Sequence, residues 1–260
     1  ANSADPGRFT AVGTLCVLLG HTKSGGSLLG AMLDAHPDVV FGDEVDVMDL
    51  VEAGFTADEV IGVLARSSRR EAMKGRVTAR RLDGGYSLAI AGSDQGRVGR
   101  PHVVGVSRAG PTTRILGESP ASIALLDERM APRRVMFVQM VRAPADSVAA
   151  MVLRSGRDPV DAAHDHRSQC ERLEMLRALL KPRLTTVYYE DLVARTVPTL
   201  ESVASFLGVQ ADPDYLRACA ALVNADRPGE SDRVDWPEAA RTVMAETTAD
   251  FSFLDRYRSP

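Results

Sequence analysis

The octet GHTKSGGS at positions 20–27 is the first stretch whose residue types and spacing could do chemistry. It follows a short apolar run, Thr14–Gly20, and opens a segment, 27–35, in which Leu28, Leu29, Met32 and Leu33 recur at helical spacing. A Gly-rich turn between a strand and a helix leaves backbone N–H groups unpaired at the positive end of the helix dipole, which favours an anion such as a phosphate. Set against the nucleoside-triphosphate pattern GxxxxGK[ST], Gly20 and Gly25 fit, Ser27 takes the hydroxyl position, and Gly26 stands where lysine is expected. The lysine is Lys23, inside the loop, in a chain whose only other lysines are Lys74 and Lys181. No strand ends in a clear magnesium-binding aspartate except at Glu190-Asp191, so the pattern suggests an anion handled without magnesium. Arg142 ends a second apolar run, at the carboxyl end of another expected strand. Beyond the loop helix stand Asp43, Glu44 and Asp46, neighbouring carboxylates that raise one another's pKa and bring one toward neutral pH.

The elements that position these residues alternate. Apolar runs at Thr14–Gly20, 102–107, Arg134–Val141 and 184–189 read as strands. Helical patterns follow at 27–35, Ala121–Met130, from Pro144, over 160–180 and at Thr196–Leu207, the last closed by Gly208. Alternation of this kind predicts an α/β fold with a P-loop-type central parallel sheet flanked by helices. Ligands bind such sheets at the carboxyl ends of the strands, so the places to look follow Gly20, Ser107, Val141 and Tyr189. Residues 83–101 are Gly-rich and read as a mobile loop or lid. No repeat or composition break divides the chain, which predicts one domain over residues 1–260, with 1–10 a disordered or vector-derived N-terminus.

Composition bounds the function. With 45% apolar and 25% charged residues the chain is neither disordered nor fibrous, and its longest uncharged stretch, 9–22, is shorter than the ~20 residues that span a bilayer. A net charge of -4 argues against general nucleic-acid affinity. Cys16, Cys170 and Cys219 lack ligand spacing and read as reduced core residues, and His164 and His166, two apart, do not share a helix face. The expectation is a cytoplasmic protein with no metal, no membrane and no nucleic-acid partner.

The string KSGGSLLGAMLDAHPDVVFGDE, 23–44, resembles the sulfotransferases that use 3′-phosphoadenosine-5′-phosphosulfate (PAPS), whose loop reads [KR]-S-G-T-T before a helix and His-Pro. The resemblance implies that Lys23 stabilises the leaving phosphate and that Ser24, Gly25, Gly26 and Ser27 hold the 5′-phosphosulfate. Gly26 replaces a Thr, deleting a hydroxyl donor whose charge-assisted bond is worth about 1.5–3 kcal/mol. Arg142, followed by Asp146, is similar to the family's Arg-x-x-x-Asp-x-x-x-Ser segment, which binds the 3′-phosphate. Ala150 stands where its serine falls, and Ser147, one turn earlier, is the substitute. The segment 187–192 with Phe206-Leu-Gly208 resembles the family's Y-E-D-L…F-L-G, so Tyr189 either lines the nucleotide site or packs in the core. Residues 227–236 resemble the carboxy-terminal basic and Trp segment, which puts Arg233 at the nucleotide. Gly42-Asp43-Glu44 resembles the Gly-Glu-Glu of the tyrosylprotein branch, whose second carboxylate is the base; this makes Glu44 the general base, with Asp43 and Asp46 as alternatives. His21 lies in the loop as a candidate substrate contact, and His36 belongs to the His-Pro turn. Ser107 or Arg108 stands in for a central-strand lysine that stabilises the sulfuryl oxygens.

The activity implied is sulfuryl transfer from PAPS, leaving 3′-phosphoadenosine-5′-phosphate (PAP), to a hydroxyl, or second an amine, of a small molecule of bacterial secondary metabolism. A degenerate binding subunit without turnover is the alternative, and a P-loop kinase or hydrolase with Glu190 or Asp191 on magnesium is the third choice. A homodimer or a partner protein stays open.

Overall fold

The computed structural model describes residues 9–77, 87–223 and 229–258. Five strands, β1 (Thr14–Gly20), β2 (Val39–Asp43), β3 (Val103–Ser107), β4 (Arg134–Val141) and β5 (Leu184–Tyr188), form one sheet in the order β2-β3-β1-β4-β5. Every pairing is parallel. Parallel strands need crossovers, supplied by helices on both faces, and the central strand therefore reads as continuous apolar sequence. In β1 the period of two sends Leu15, Val17 and Leu19 into one core with Phe137 and Leu173, and Cys16 and Leu18 into a second with Leu29, Met32 and Val138. All three cysteines are buried and free.

The helices in chain order are α1 (Gly26–Asp34), α2 (Val47–Glu52), α3 (Ala57–Met73), α4 (Ala109–Glu118), α5 (Ala121–Met130), α6 (Pro144–Ser155), α7 (Pro159–Leu180), α8 (Tyr189–Ala194), α9 (Thr196–Leu207), α10 (Pro213–Ala220) and α11 (Glu238–Asp250). Their ends follow local chemistry. Thr56 and Glu59 close a capping box on α3, Pro144 starts α6, and Gly208, at φ 83°, ends α9. From β1 the chain turns to one side toward β2, and from β3 it crosses to β4 on the other side. The crevice at this switch lies between the carboxyl ends of β1 and β4, where the 20–27 loop and Arg142 emerge.

Three expectations change. β2 has only five residues and no alternation, and it escapes sequence reading. The 184–189 run stops at Tyr188, because Tyr189 already begins α8. The described part of 83–101 is fastened down, not a free lid: Gln95 Nε2 donates to Ala31 O at 2.8 Å and Leu88 O at 3.0 Å, and Gly96 N donates to Asp34 at 2.9 Å. Residues 83–86 lie outside the described residues, as do 1–8 of the expected disordered N-terminus, while Phe9 packs on the core. Asp34 is the hub of this side. It is 1% exposed, accepts from Phe41 N and Ser68 Oγ, and pairs with Arg76, so a charge inside the fold is fully compensated.

Candidate active site

The loop from Gly20 to Ser27 has an inward and an outward side. Gly20, at φ 143°, admits no side chain because a Cβ would fall 2.5 Å from Met140 O. Its N–H donates to Thr113 Oγ1 at 2.8 Å, and its carbonyl accepts from Gln169 Nε2 at 3.2 Å. Ser24 is fully buried, and its hydroxyl and N–H both donate to His21 O, at 2.8 and 3.2 Å. The reading of Ser24 as part of the phosphosulfate loop is narrowed: its hydroxyl is engaged with His21 O and shapes the loop from within.

His21 is likewise corrected as a substrate contact. It is 5% exposed, its Nε2 lies 3.1 Å from His166 O, and its ring stacks on His166 with centroids 3.9 Å apart. Burial, only partly opposed by the His166 bond, lowers its pKa to about 4, and burial with the neighbouring ring holds His166 well below the usual range. With Cys170 these two histidines form a buried group whose ligand atoms lie within 4.8 Å of one another. The rings, however, are only 11° from parallel. Lone pairs lie in the ring planes, so two stacked rings do not aim at one ion, and the cluster is a neutral packing unit beneath the loop.

The outward side carries charge. Lys23 is exposed and held in the left-handed region at φ 72°. Its carbonyl accepts from Arg142 Nη1 at 3.3 Å, and the Arg142 guanidinium lies 4.7 Å from the Tyr189 ring centroid. Tyr189 in turn lies against the loop, since a Cβ on Gly25 would come within 2.6 Å of its ring. Gly25, at φ 101°, caps α1 without any side-chain hydrogen bond, so the N–H groups of the first turn of α1 face the crevice uncapped. Lys23, Gly25, Gly26, Ser27, Arg142 and Tyr189 are thus brought together, and an anionic ligand fits what they offer.

The β2–β3 side completes the rim. Asp43 and Ser107 are partners in register on neighbouring strands. Ser107 Oγ also lies 3.4 Å from where a Cβ on Gly26 would stand. Burial first, then the Glu44 charge, raises the Asp43 pKa to about 6 against the opposing pull of Arg76 and Ser107. Glu44 is exposed at φ 54°, its N–H donating to Ser107 O at 3.0 Å. Arg108 is ion-paired with Asp46. His36 is structural, its Nε2 2.9 Å from Gln210 O and its Nδ1 accepting from Asp38 N.

Two further expectations change. Ser147, expected as the substitute for the serine missing at Ala150, is 0% exposed one turn inside α6, with its hydroxyl unbonded among the described residues. Glu190 accepts from Ala143 N at 2.9 Å and Tyr257 OH at 2.5 Å, and Asp191 pairs with Arg256 and Arg195. Both carboxylates are spent on holding α6, α8 and the C-terminal segment, which removes the ligands that a magnesium-dependent kinase reading requires. Arg233 is exposed on a short turn, Ser231–Arg233, and Trp236 Nε1 donates to Ser231 O at 3.0 Å; Arg227 lies outside the described residues.

A profile of the sulfotransferase family matches residues 16–213. The chain belongs to the sulfotransferase family. Among solved structures, this sulfotransferase is similar to the sulfotransferase domain of the Synechococcus PCC 7002 olefin synthase, 17% identical, with 96% of each chain covered and a TM-score of 0.52. The sulfotransferase domain of the curacin biosynthetic pathway is 15% identical over 92% of this chain and 99% of its own, TM-score 0.51. Mouse sulfotransferase SULT7A1, solved with PAP, is 12% identical over 96% and 89%, TM-score 0.51. At such identities the likeness speaks for the fold. No curated protein matches. No described helix is long and apolar enough to cross a membrane.

Sequence reading of the sulfotransferase missed Gln169, whose amide bridges Gly20 O and Gly110 O, and the pair Arg154 and Glu230 near Arg142. Gln169 and Glu230 come from elements remote in sequence, and Arg154 lies at the far end of the helix that follows Arg142, so no local spacing marks them.

Proposed function

We propose that the protein, acting as a single α/β domain, transfers the sulfuryl group of PAPS to a hydroxyl, or second an amine, of a small-molecule acceptor. The observation that carries this reading is the convergence of an uncapped helix N-terminus, Lys23 and Arg142 at the switch crevice. When bound, PAPS supplies an activated sulfuryl group on a phosphate leaving group. The Gly25, Gly26 and Ser27 N–H groups hold the 5′ end, and Tyr189, stacked under Arg142, flanks the nucleotide. Lys23, exposed on the rim, neutralises charge growing on the leaving phosphate oxygen. Glu44, solvent-facing at the end of β2, takes the acceptor proton, and Ser107 and Arg108 border the sulfuryl position. No metal enters this scheme.

A second reading, a binding subunit without turnover, is favoured by the hydroxyls absent at Gly26 and Ala150. Incubation with labelled PAPS and a panel of alcohols, phenols and amines separates the two. Labelled product lost in Glu44→Gln supports transfer; PAP binding without any product from the panel or from water supports the binding subunit.

A further inference from the structure

Beside the crevice, three charged side chains from separate elements meet. Arg154 Nη2, from the last turn of α6, donates to Glu230 Oε1 at 2.5 Å. Arg142 Nη1, from the end of β4, lies 3.7 Å from Glu230 Oε2. The side chains of Arg142 and Glu230 are only 10% and 14% exposed, and that of Arg154 31%. Asp146 joins from the first turn of α6, its Oδ1 accepting from Ser231 N at 3.0 Å and so fixing the turn that presents Glu230.

The pairing is incomplete in hydrogen bonds. Among the described residues, Arg142 Nε and Glu230 Oε2 are both buried without a partner. Two guanidiniums converge on a planar carboxylate with two oxygens and one charge, and donors are left over. A phosphate monoester brings three terminal oxygens and nearly two charges, which suits two arginine forks better than one carboxylate does.

Resting on the donor reading above, we infer that Arg154 is a second arginine of the 3′-phosphate subsite beside Arg142, and that Glu230 is an internal competitor which the phosphate must displace. Glu230 then sets the affinity and the selectivity of the site. A ligand without a 3′-phosphate has no means of displacing it and gains nothing from its removal. A ligand with one binds with an apparent affinity lowered by the fraction of molecules in which Glu230 holds the arginines.

Calorimetric titration of wild type, Glu230→Gln and Arg154→Gln with PAP, 5′-AMP and inorganic phosphate tests this without recourse to activity. Glu230→Gln is expected to bind PAP about tenfold more tightly, with 5′-AMP unchanged. Arg154→Gln is expected to bind PAP about tenfold more weakly, again with 5′-AMP unchanged. A gain in affinity cannot come from a variant that fails to fold, so the Glu230 arm stands on its own. PAP affinity unmoved by Glu230→Gln, or equal shifts for PAP and 5′-AMP, overturns the competitor. Inorganic phosphate tightening as much as PAP would show a free anion site and overturn the nucleotide assignment. If no form of the folded protein binds PAP or 5′-AMP, the donor reading itself falls, and this subsite with it.

Discussion

The inner and outer sides of the 20–27 loop are built from close neighbours in sequence and obey opposite rules. Inward, Ser24 and His21 meet Gln169, His166 and Cys170 in a buried, neutral environment where nearly every polar group is bonded. Outward, Lys23, Arg142 and Glu230 are charged and stand around an uncapped helix end. Inner residues hold the loop's shape, and outer ones act on whatever the shape presents. One residue of shift in sequence changes the energetic role entirely.

Mutations that keep the two sides apart test the difference. The largest effect is expected at Glu44→Gln, which should lower turnover by about 10³-fold, within the range for a lost general base, while PAP affinity in calorimetry stays put. An unchanged rate would move the base to Asp43. Lys23→Ala should lower turnover by about 10²-fold and leave PAP affinity within a few fold; equal losses in both would contradict a role confined to the leaving oxygen.

The inner side should answer in stability instead. His21 has its folded pKa lowered from 6.5 to about 4, so the stability it carries is present above pH 6.5 and is lost as pH falls toward 4. That loss reaches about 3 kcal/mol at pH 4, and His21→Asn should flatten this part of a melting-temperature profile taken between pH 7.5 and 4.5. An unflattened profile would place the acid sensitivity elsewhere. Ser24→Ala removes the hydroxyl bond to His21 O and should cost about 1 kcal/mol in urea unfolding with turnover nearly unaltered. A turnover collapse at full stability would return Ser24 to the outer side.

The smallest effect sharpens the boundary. Asp43 has its folded pKa raised from 3.8 to about 6, so between these values rising pH costs folded stability, and above pH 6 the whole penalty is in place. Asp43→Asn should therefore stabilise by on the order of 1 kcal/mol at pH 7.5, after solvent screening, and by nothing at pH 3.5. A gain of equal size at both pH values would contradict the shift.

Much of the fold was legible because β1, β4 and the helices they feed are continuous apolar runs bounded by glycine and proline. The loop was legible because an anion cradle needs glycines where backbone must approach a ligand. β2 was not, since five residues ending in Gly42-Asp43 carry no period. Orientation within the loop was not legible either: His21 and Lys23 are both polar loop residues, and only the arrival of α7 beneath them decides which one is buried. The same holds for Ser147, whose serine type fits a phosphate ligand while its place on α6 faces the core, and for Glu230, drawn to Arg142 across a long stretch of chain.

The central claim is that the outer side of the loop is a site for a 3′,5′-bisphosphorylated nucleotide. Calorimetric titration of the wild-type protein with PAP in metal-free buffer, beside ATP with and without magnesium, tests it most directly. The account predicts micromolar PAP binding that needs no metal and exceeds ATP binding under either condition. Folded protein that ignores PAP, or that binds ATP only with magnesium, would contradict it.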